Sequence, residues 1–355
     1  MKNWTWLVPA VAVALLIGAI VAGVGVPLAT LCAIALVGAV FAAVHHAEVV
    51  AHRVGEPFGT LVLAVAVTVI EASLILSTML GSGADKSALP RDTIYAAVMI
   101  ICNGVVGVCV LVGGIVHREQ TFRVEGAGAG LAALIAMSTL TLVLPVFTTT
   151  TPSGTYSTSQ LTFAAVASIA LWAVYVFIQT VSRRDYFLPV VDAANPEVHA
   201  DPPTDREAWT SFGLLVVSLA SVVGLAKMLS PSIERAIAAA GAPKAVIGIV
   251  IALLVLLPET WAAVRAAHAN RLQTSMNLAI GSALASIGLT IPAVAMAAIM
   301  FDLPLVLGLD PKDLVMLALT FLVSLITLGT GRTHMMQGAV HLVIFAAFLF
   351  LALVP

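Results

Sequence analysis

The stretch GTLVLAVAVTVIE, residues 59–71, decides the fold, because it is an apolar run of transmembrane character that ends on a carboxylic acid. The stretch GIVIALLVLLPE, residues 248–259, repeats this pattern. The two acids, Glu71 and Glu259, follow the opening glycine of their stretch by twelve and eleven residues. An ionised side chain at the centre of a bilayer costs roughly 2.5–3.5 kcal/mol on insertion scales. Each glutamate is therefore predicted to serve the function of the protein rather than its folding.

The composition of the whole chain agrees with a location in the membrane. Of its 355 residues, 61% are hydrophobic and 10% are charged, and the mean hydropathy is +1.09. Soluble domains have about 45–50% apolar and about 25% charged residues, so a soluble enzyme and a disordered chain are excluded. The net charge of −2 offers no basic surface for nucleic acid. The three cysteines lie in apolar runs and match neither a disulfide framework nor a zinc motif.

Eleven apolar windows predict an all-α polytopic membrane protein, because a helix needs about 20 residues to cross a bilayer. The predicted spans are residues 4–25, 28–51, 58–80, 93–117, 127–148, 160–182, 209–230, 244–268, 274–301, 312–330 and 334–354. The first window is too long for a signal peptide and carries Trp4 and Trp6 at its interfacial end. We expect it to remain as a helix.

Lysine and arginine are distributed unequally between the two sides of these spans. Ten lie on the side of the N-terminus and six on the other side. The positive-inside rule then predicts a cytoplasmic N-terminus, and eleven crossings put the C-terminus outside.

One connection divides the chain into two halves. Residues 183–208 contain six acidic residues and four prolines and are predicted to form a cytoplasmic linker. The first helix (1–27) then precedes two five-helix repeats, 28–182 and 209–355. Because five is odd, the second repeat crosses the bilayer in the opposite direction. Inverted repeats are typical of secondary transporters, which bind their substrates near the midplane where the repeats meet.

Small and polar residues occupy the helix that follows each glutamate. They include Asn103 in the first half and Asn277, Gly281, Ser282 and Ser286 in the second. Thr68 lies one turn before Glu71 on the same face. Pro258 has no N–H, so the Leu254 carbonyl loses its helical partner. Carboxylate, amide, hydroxyl and carbonyl oxygens are ligands for Ca²⁺ or Na⁺ rather than for zinc or copper.

Two neighbouring carboxylates in a dry site indicate a mechanism. Desolvation and mutual repulsion both favour their protonated forms, so either a divalent cation or two protons must neutralise the pair. If only neutralised forms change sides, cation and protons exchange, and the proton gradient drives cation export. The sequence thus favours a Ca²⁺/H⁺ antiporter with alternating access. Na⁺/H⁺ or K⁺/H⁺ antiport and a passive cation channel stay open.

A cluster near the end of the second span is a secondary candidate. His45, Glu48 and His52 are spaced by three and four residues and therefore share a helix face, beside His46. A metal site in a membrane metalloenzyme is an alternative here, although the spacing is not that of the HExxH zinc proteases. A polar helix end that reaches cytoplasmic water is the simpler interpretation.

The motifs around both glutamates resemble a known family. GEPFGT (55–60) with TVIE (68–71), and PETWAAVRAAHAN (258–270) with NLAIGS (277–282), resemble the two alpha-repeats of bacterial calcium/proton antiporters. These belong to the cation/proton exchanger branch of the calcium/cation antiporter superfamily. The resemblance implies a transporter rather than an enzyme, with the eleven-helix sodium/calcium-exchanger-like fold, in the bacterial cytoplasmic membrane.

The resemblance also implies roles for individual residues. Glu71 and Glu259 bind the cation and carry protons, and Asn103, Gly281 and Ser282 match other positions of the site. No cofactor is implied beyond the transported Ca²⁺ and H⁺, and a homo-oligomer is left open. Many exchangers have Gly-Asn-x-x-Glu before the acid, whereas TVIE and LLPE stand here. This departure keeps Na⁺ and K⁺ open as substrates.

Overall fold

The computed structural model describes residues 3–23, 25–55, 58–80, 87–188 and 203–354. Parts of three sequence features lie outside the described residues. They are positions 189–202 of the acidic linker, Glu56 and Pro57 of the first motif, and residues 81–86 between the third and fourth predicted spans.

The described residues contain eleven helical segments that are long and apolar enough to cross a membrane, which confirms the predicted number. Their bounds are Trp4–Ala22, Val26–Val54, Leu61–Met79, Leu89–His117, Val124–Val146, Thr158–Ser182, Asp205–Ala239, Ala245–His268, Leu272–Phe301, Pro311–Gly329 and Met335–Leu353. The helices are α1 (Trp4–Ala22), α2 (Val26–Val54), α3 (Phe58–Leu80), α4 (Leu89–Met99), α5 (Val106–His117), α6 (Val124–Ser138), α7 (Thr158–Phe177), α8 (Asp205–Ala239), α9 (Ala245–His268), α10 (Leu272–Ala285), α11 (Ile291–Phe301), α12 (Pro311–Gly329) and α13 (Met335–Leu353).

The seventh span differs most from its predicted bounds. Helix α8 has 35 residues, whereas the hydropathy pattern predicts residues 209–230. The Thr204 hydroxyl accepts a hydrogen bond from Glu207 N at 3.3 Å, and the Glu207 carboxylate accepts one from Thr204 N at 2.9 Å. This capping box starts the helix inside the predicted linker. Asp205 and Glu207, which the sequence analysis includes in the acidic linker, therefore lie in the first turn of α8.

Four spans contain a π-helical turn, which the sequence analysis does not predict. The turns cover Ile100–Val105, Thr139–Val143, Ile178–Ser182 and Ser286–Thr290. The first joins α4 to α5 and the last joins α10 to α11, so each lies inside the third helix of a predicted repeat. π turns are rare and often mark functional sites.

The described contacts divide the chain into two compact units. The first comprises Met1–Lys86 and His199–Pro258. Within it, α2 packs against α1, α3 and α8. The imidazole Nε2 of buried His46 lies 2.9 Å from the Thr5 carbonyl oxygen and ties α2 to α1.

The second unit comprises Ser87–Val198 and Glu259–Pro355. Within it, α13 packs on α5, α10 on α6 and α11 on α7. A short antiparallel pair, β1 (Glu119–Thr121) and β2 (Arg332–His334), closes one end. At the other end Arg91 Nη1 donates to the Gly308 carbonyl at 3.0 Å.

Glycines allow α13 to approach α5 closely. A Cβ atom on Gly338 would lie 2.4 Å from the Leu111 backbone nitrogen and 2.8 Å from the Gly107 carbonyl oxygen. Backbone atoms cannot move aside as a side chain can, so only glycine fits at this crossing.

We predict that Gly338→Ala lowers the stability of the protein by about 1–3 kcal/mol, the usual cost of overpacking. Thermal unfolding in detergent measures the effect. Gly128→Ala is the matched control, because a Cβ at Gly128 has nothing within 4 Å and alanine favours a helix. Equal unfolding midpoints for the two variants would contradict the close approach.

Candidate cation site

Glu71 lies in the middle of α3 and only 1% of its surface is exposed. Thr68, one turn earlier, has a buried hydroxyl that forms no hydrogen bond within the described residues. Thr78 on the same helix behaves differently, because its hydroxyl donates to the Leu74 and Ile75 carbonyls at 3.0 and 2.7 Å. The structure therefore places a carboxylate on one turn of a membrane helix. On the turn before it lies a hydroxyl that forms no hydrogen bond with the described residues.

Glu259 follows Pro258 directly in α9 and is partly buried. The helix continues from Ala245 to His268, so Pro258 is tolerated inside it and does not end it. Leu256, three residues before the acid, is 2% exposed and carries no ligand oxygen. The two glutamates therefore have different neighbours on their own helices, since Thr68 occupies the corresponding position before Glu71.

Asn103 is fully buried in the π turn between α4 and α5. Its Nδ2 donates to Thr320 Oγ1 at 2.9 Å, and its Oδ1 lies 3.2 Å from His341 Nδ1. His341 Nε2 lies 3.0 Å from Thr327 Oγ1. The sequence analysis does not identify this network. The spacing of Thr320, Ser324 and Thr327 along one face of α12 is a signal that could have revealed it.

The small and polar residues of the ninth span fall into two groups. Ser286 and Thr290 are buried in the π turn, while Ser282 has a buried hydroxyl with no hydrogen bond in the described part of the chain. A Cβ atom on Gly281 would have nothing within 4 Å, so space remains beside Ser282.

Asn277 forms hydrogen bonds with residues other than Gly281, Ser282, Ser286 and Thr290. Its Nδ2 donates to the Phe187 carbonyl at 2.6 Å, and its Oδ1 accepts from Gln273 Nε2 at 2.9 Å. Gln273 Oε1 in turn accepts from Arg123 N at 2.6 Å. These bonds connect α10 to the 3₁₀ turn Arg184–Phe187 and to the start of α6, which is a structural task.

The histidine cluster on α2 does not form the metal site of the alternative hypothesis. Glu48 and His52 are exposed, and the His45 ring packs against Trp4 with 5.3 Å between centroids. Across the described residues, no group of three or more His, Cys, Asp or Glu side chains could hold a metal ion. The metalloenzyme alternative therefore lacks its site in this part of the chain.

Eleven apolar spans with buried carboxylate, amide and hydroxyl groups inside them define a multi-pass membrane transport protein. The chain belongs to the sodium/calcium exchanger protein family, whose sequence profile matches residues 24–181 and 210–354. It is thus a member of a family of cation antiporters and not an enzyme.

Individual relatives agree with this assignment. The Sinorhizobium fredii protein y4hA, named for ionic transport without a specified ion, is 46% identical over 99% of this chain and 96% of its own length. The sodium-potassium/proton antiporter ChaA of Escherichia coli is 35% identical over 90% of this chain and 87% of its own. The structure of the Ca²⁺/H⁺ antiporter YfkE has a TM-score of 0.74 and 15% identity, with complete coverage of both chains. This last likeness confirms the predicted exchanger fold.

We predict that Asn277→Ala lowers the unfolding midpoint, since the loss of buried hydrogen bonds costs about 1–3 kcal/mol. The cation concentration for half-maximal exchange (KM) should stay within about twofold of the wild-type value, because the contacts of Asn277 are structural. Thermal unfolding and transport in sealed vesicles measure the two quantities. A large rise in KM at an unchanged unfolding midpoint would contradict the structural role and indicate that Asn277 binds the cation.

Proposed function

We propose that this protein exports a cytoplasmic cation in exchange for protons across the bacterial cytoplasmic membrane, and that Glu71 and Glu259 bind both in turn. The observation that supports this most strongly is the almost complete burial of Glu71 in the middle of an apolar span. A carboxylate in such a place needs either a proton or a cation to neutralise it.

The position of Glu259 supports a paired role. It ends the second copy of the sequence pattern that Glu71 ends in the first, and the family is one of antiporters. We infer that the two acids are neutralised together, by two protons in one half of the cycle and by two positive charges that include the cation in the other. Those charges are two monovalent cations, one monovalent cation with one retained proton, or one divalent cation. Alternating access follows if the protein changes sides only in these neutralised forms.

Further oxygen ligands come from groups that the described contacts leave available. The Thr68 and Ser282 hydroxyls are buried without a hydrogen bond among the described residues. The Asn103 carbonyl oxygen has a second lone pair beyond its contact with His341. We assign Thr68, Asn103, Ser282 and the open space at Gly281 to cation binding, with Ser286 as a secondary candidate.

The transported cation is proposed to be Na⁺ or K⁺. The sodium-potassium/proton antiporter ChaA is 35% identical to this chain, whereas the Ca²⁺/H⁺ antiporter of Aphanothece halophytica is 23% identical. Leu256 also supplies no oxygen where many exchangers have an asparagine, and Ca²⁺ requires six to eight oxygen ligands. Ca²⁺, which the alpha-repeat motifs favour, is the second candidate.

We predict that Glu71→Gln and Glu259→Gln each reduce exchange by at least about 100-fold, because a neutral amide can neither release a proton nor balance a cation. Collapse of a pH gradient in inverted vesicles measures the exchange. Glu125→Gln is the control, since this exposed glutamate lies in the first turn of α6. Wild-type exchange in either variant of the buried acids would contradict the proposal.

The same vesicles rank the cations. We expect Na⁺ and K⁺ to collapse the pH gradient at lower concentrations than Ca²⁺, with Mg²⁺ inactive because it gives up its water ligands reluctantly. Vesicles that lack the protein provide the baseline. A response to Ca²⁺ alone would select the second candidate and reject the first.

A further inference from the structure

The hydrogen bonds around Asn103 fix the orientation of its side chain. The Thr320 hydroxyl donates to the Met316 carbonyl at 2.8 Å, which leaves Thr320 Oγ1 as the acceptor for Asn103 Nδ2 at 2.9 Å. The Asn103 amide nitrogen is thereby directed at α12. Its carbonyl oxygen Oδ1 must then be the atom that lies 3.2 Å from His341 Nδ1.

This orientation determines the tautomer of His341. A carbonyl oxygen only accepts hydrogen bonds, so His341 Nδ1 must carry the hydrogen. In a neutral ring Nε2 is then an acceptor, and the Thr327 hydroxyl at 3.0 Å donates to it. Both ring nitrogens therefore have partners in an uncharged ring, which also forms a hydrogen bond with the Cys102 backbone and is fully buried.

The backbone also holds the ring in place. A Cβ atom on Gly107 would lie 3.1 Å from His341 Cβ, so α5 and α13 are in close contact beside the histidine. Asn103 itself lies in the π turn, where the helical hydrogen-bond pattern is interrupted. His341 thus connects the irregular part of the fourth span to two neighbouring helices.

We propose that His341 is a positioning residue that acts as a neutral hydrogen-bond donor and aims the Asn103 carbonyl oxygen for cation binding. This inference rests on the proposed function, in which Asn103 binds the cation. The Nδ1–H group takes one lone pair of Oδ1 and fixes the direction of the other. Groups that orient a metal ligand in this way typically change metal affinity by about 10–100-fold when they are lost.

Two amide substitutions at His341 test the contributions of Nδ1 and Nε2 separately. Asparagine places its amide nitrogen near the position of Nδ1, so His341→Asn can still donate to Asn103. Glutamine is longer and reaches the position of Nε2, so His341→Gln keeps only the Thr327 side. We expect a KM near the wild-type value for His341→Asn and a rise of at least about tenfold for His341→Gln and His341→Leu, with maximal rates within about threefold.

Two further variants are compared with the His341 variants in reconstituted vesicles, and two measurements on the purified proteins separate folding from binding. Thr327→Val removes the bond on the far side of the ring and should leave KM within about twofold. Thr320→Val removes the other restraint on Asn103 and should raise KM as His341→Leu does. Thermal unfolding of each purified variant identifies loss of folding, and cation-induced stabilisation of the same samples measures binding without transport.

The outcomes are distinct. Wild-type KM in all three His341 variants, or an equal rise in His341→Asn and His341→Leu, would overturn the positioning role. A changed pH profile or proton-to-cation ratio in His341→Asn would also overturn it, because the histidine would then carry a transported proton. Failure of the proposed function is recognised separately, since wild-type protein would then neither exchange cations nor be stabilised by them.

Discussion

The cost of placing a charge in the hydrocarbon core of a membrane is the constraint on which the rest of this structure depends. Most residues in the eleven apolar spans of the described chain satisfy it because they are uncharged. Glu71 does not, because it lies at the centre of α3 with 1% of its surface exposed. Its carboxylate can persist there only if a proton or a cation accompanies it, which links a feature of folding directly to antiport.

The same constraint governs the neutral polar groups inside the membrane. Thr78 bonds to the backbone of its own helix, whereas the buried Thr68 hydroxyl makes no such bond within the described residues. Asn103 is held through three other side chains, two of them threonines of α12 and one a histidine of α13. Thr78 therefore maintains its own helix, whereas Thr68 and Asn103 are candidates for binding ions, the first through an unbonded hydroxyl and the second through a carbonyl oxygen of fixed orientation.

Much of this fold follows from the sequence alone. Each span is apolar over about 20 residues, so hydropathy finds all eleven, and the buried acids stand out because charges are rare among them. The start of α8 is missed because its capping box lies in a polar segment. The π turns are missed because a local change in the helical hydrogen-bond pattern does not alter the hydropathy of the span. The contacts of Asn277 cannot be predicted from the sequence because its partner, the Phe187 carbonyl, is ninety residues distant along the chain.

The most direct test of the central claim is to observe the protonation of Glu71 itself. Infrared difference spectroscopy of the protein in lipid, recorded before and after addition of the transported cation, reports the carbonyl band of a protonated carboxylic acid. We predict that cation binding removes such a band in the wild-type protein and that Glu71→Gln lacks this change. A cation-bound wild-type spectrum that keeps the band, or a Glu71→Gln difference spectrum identical to that of the wild type, would contradict the account.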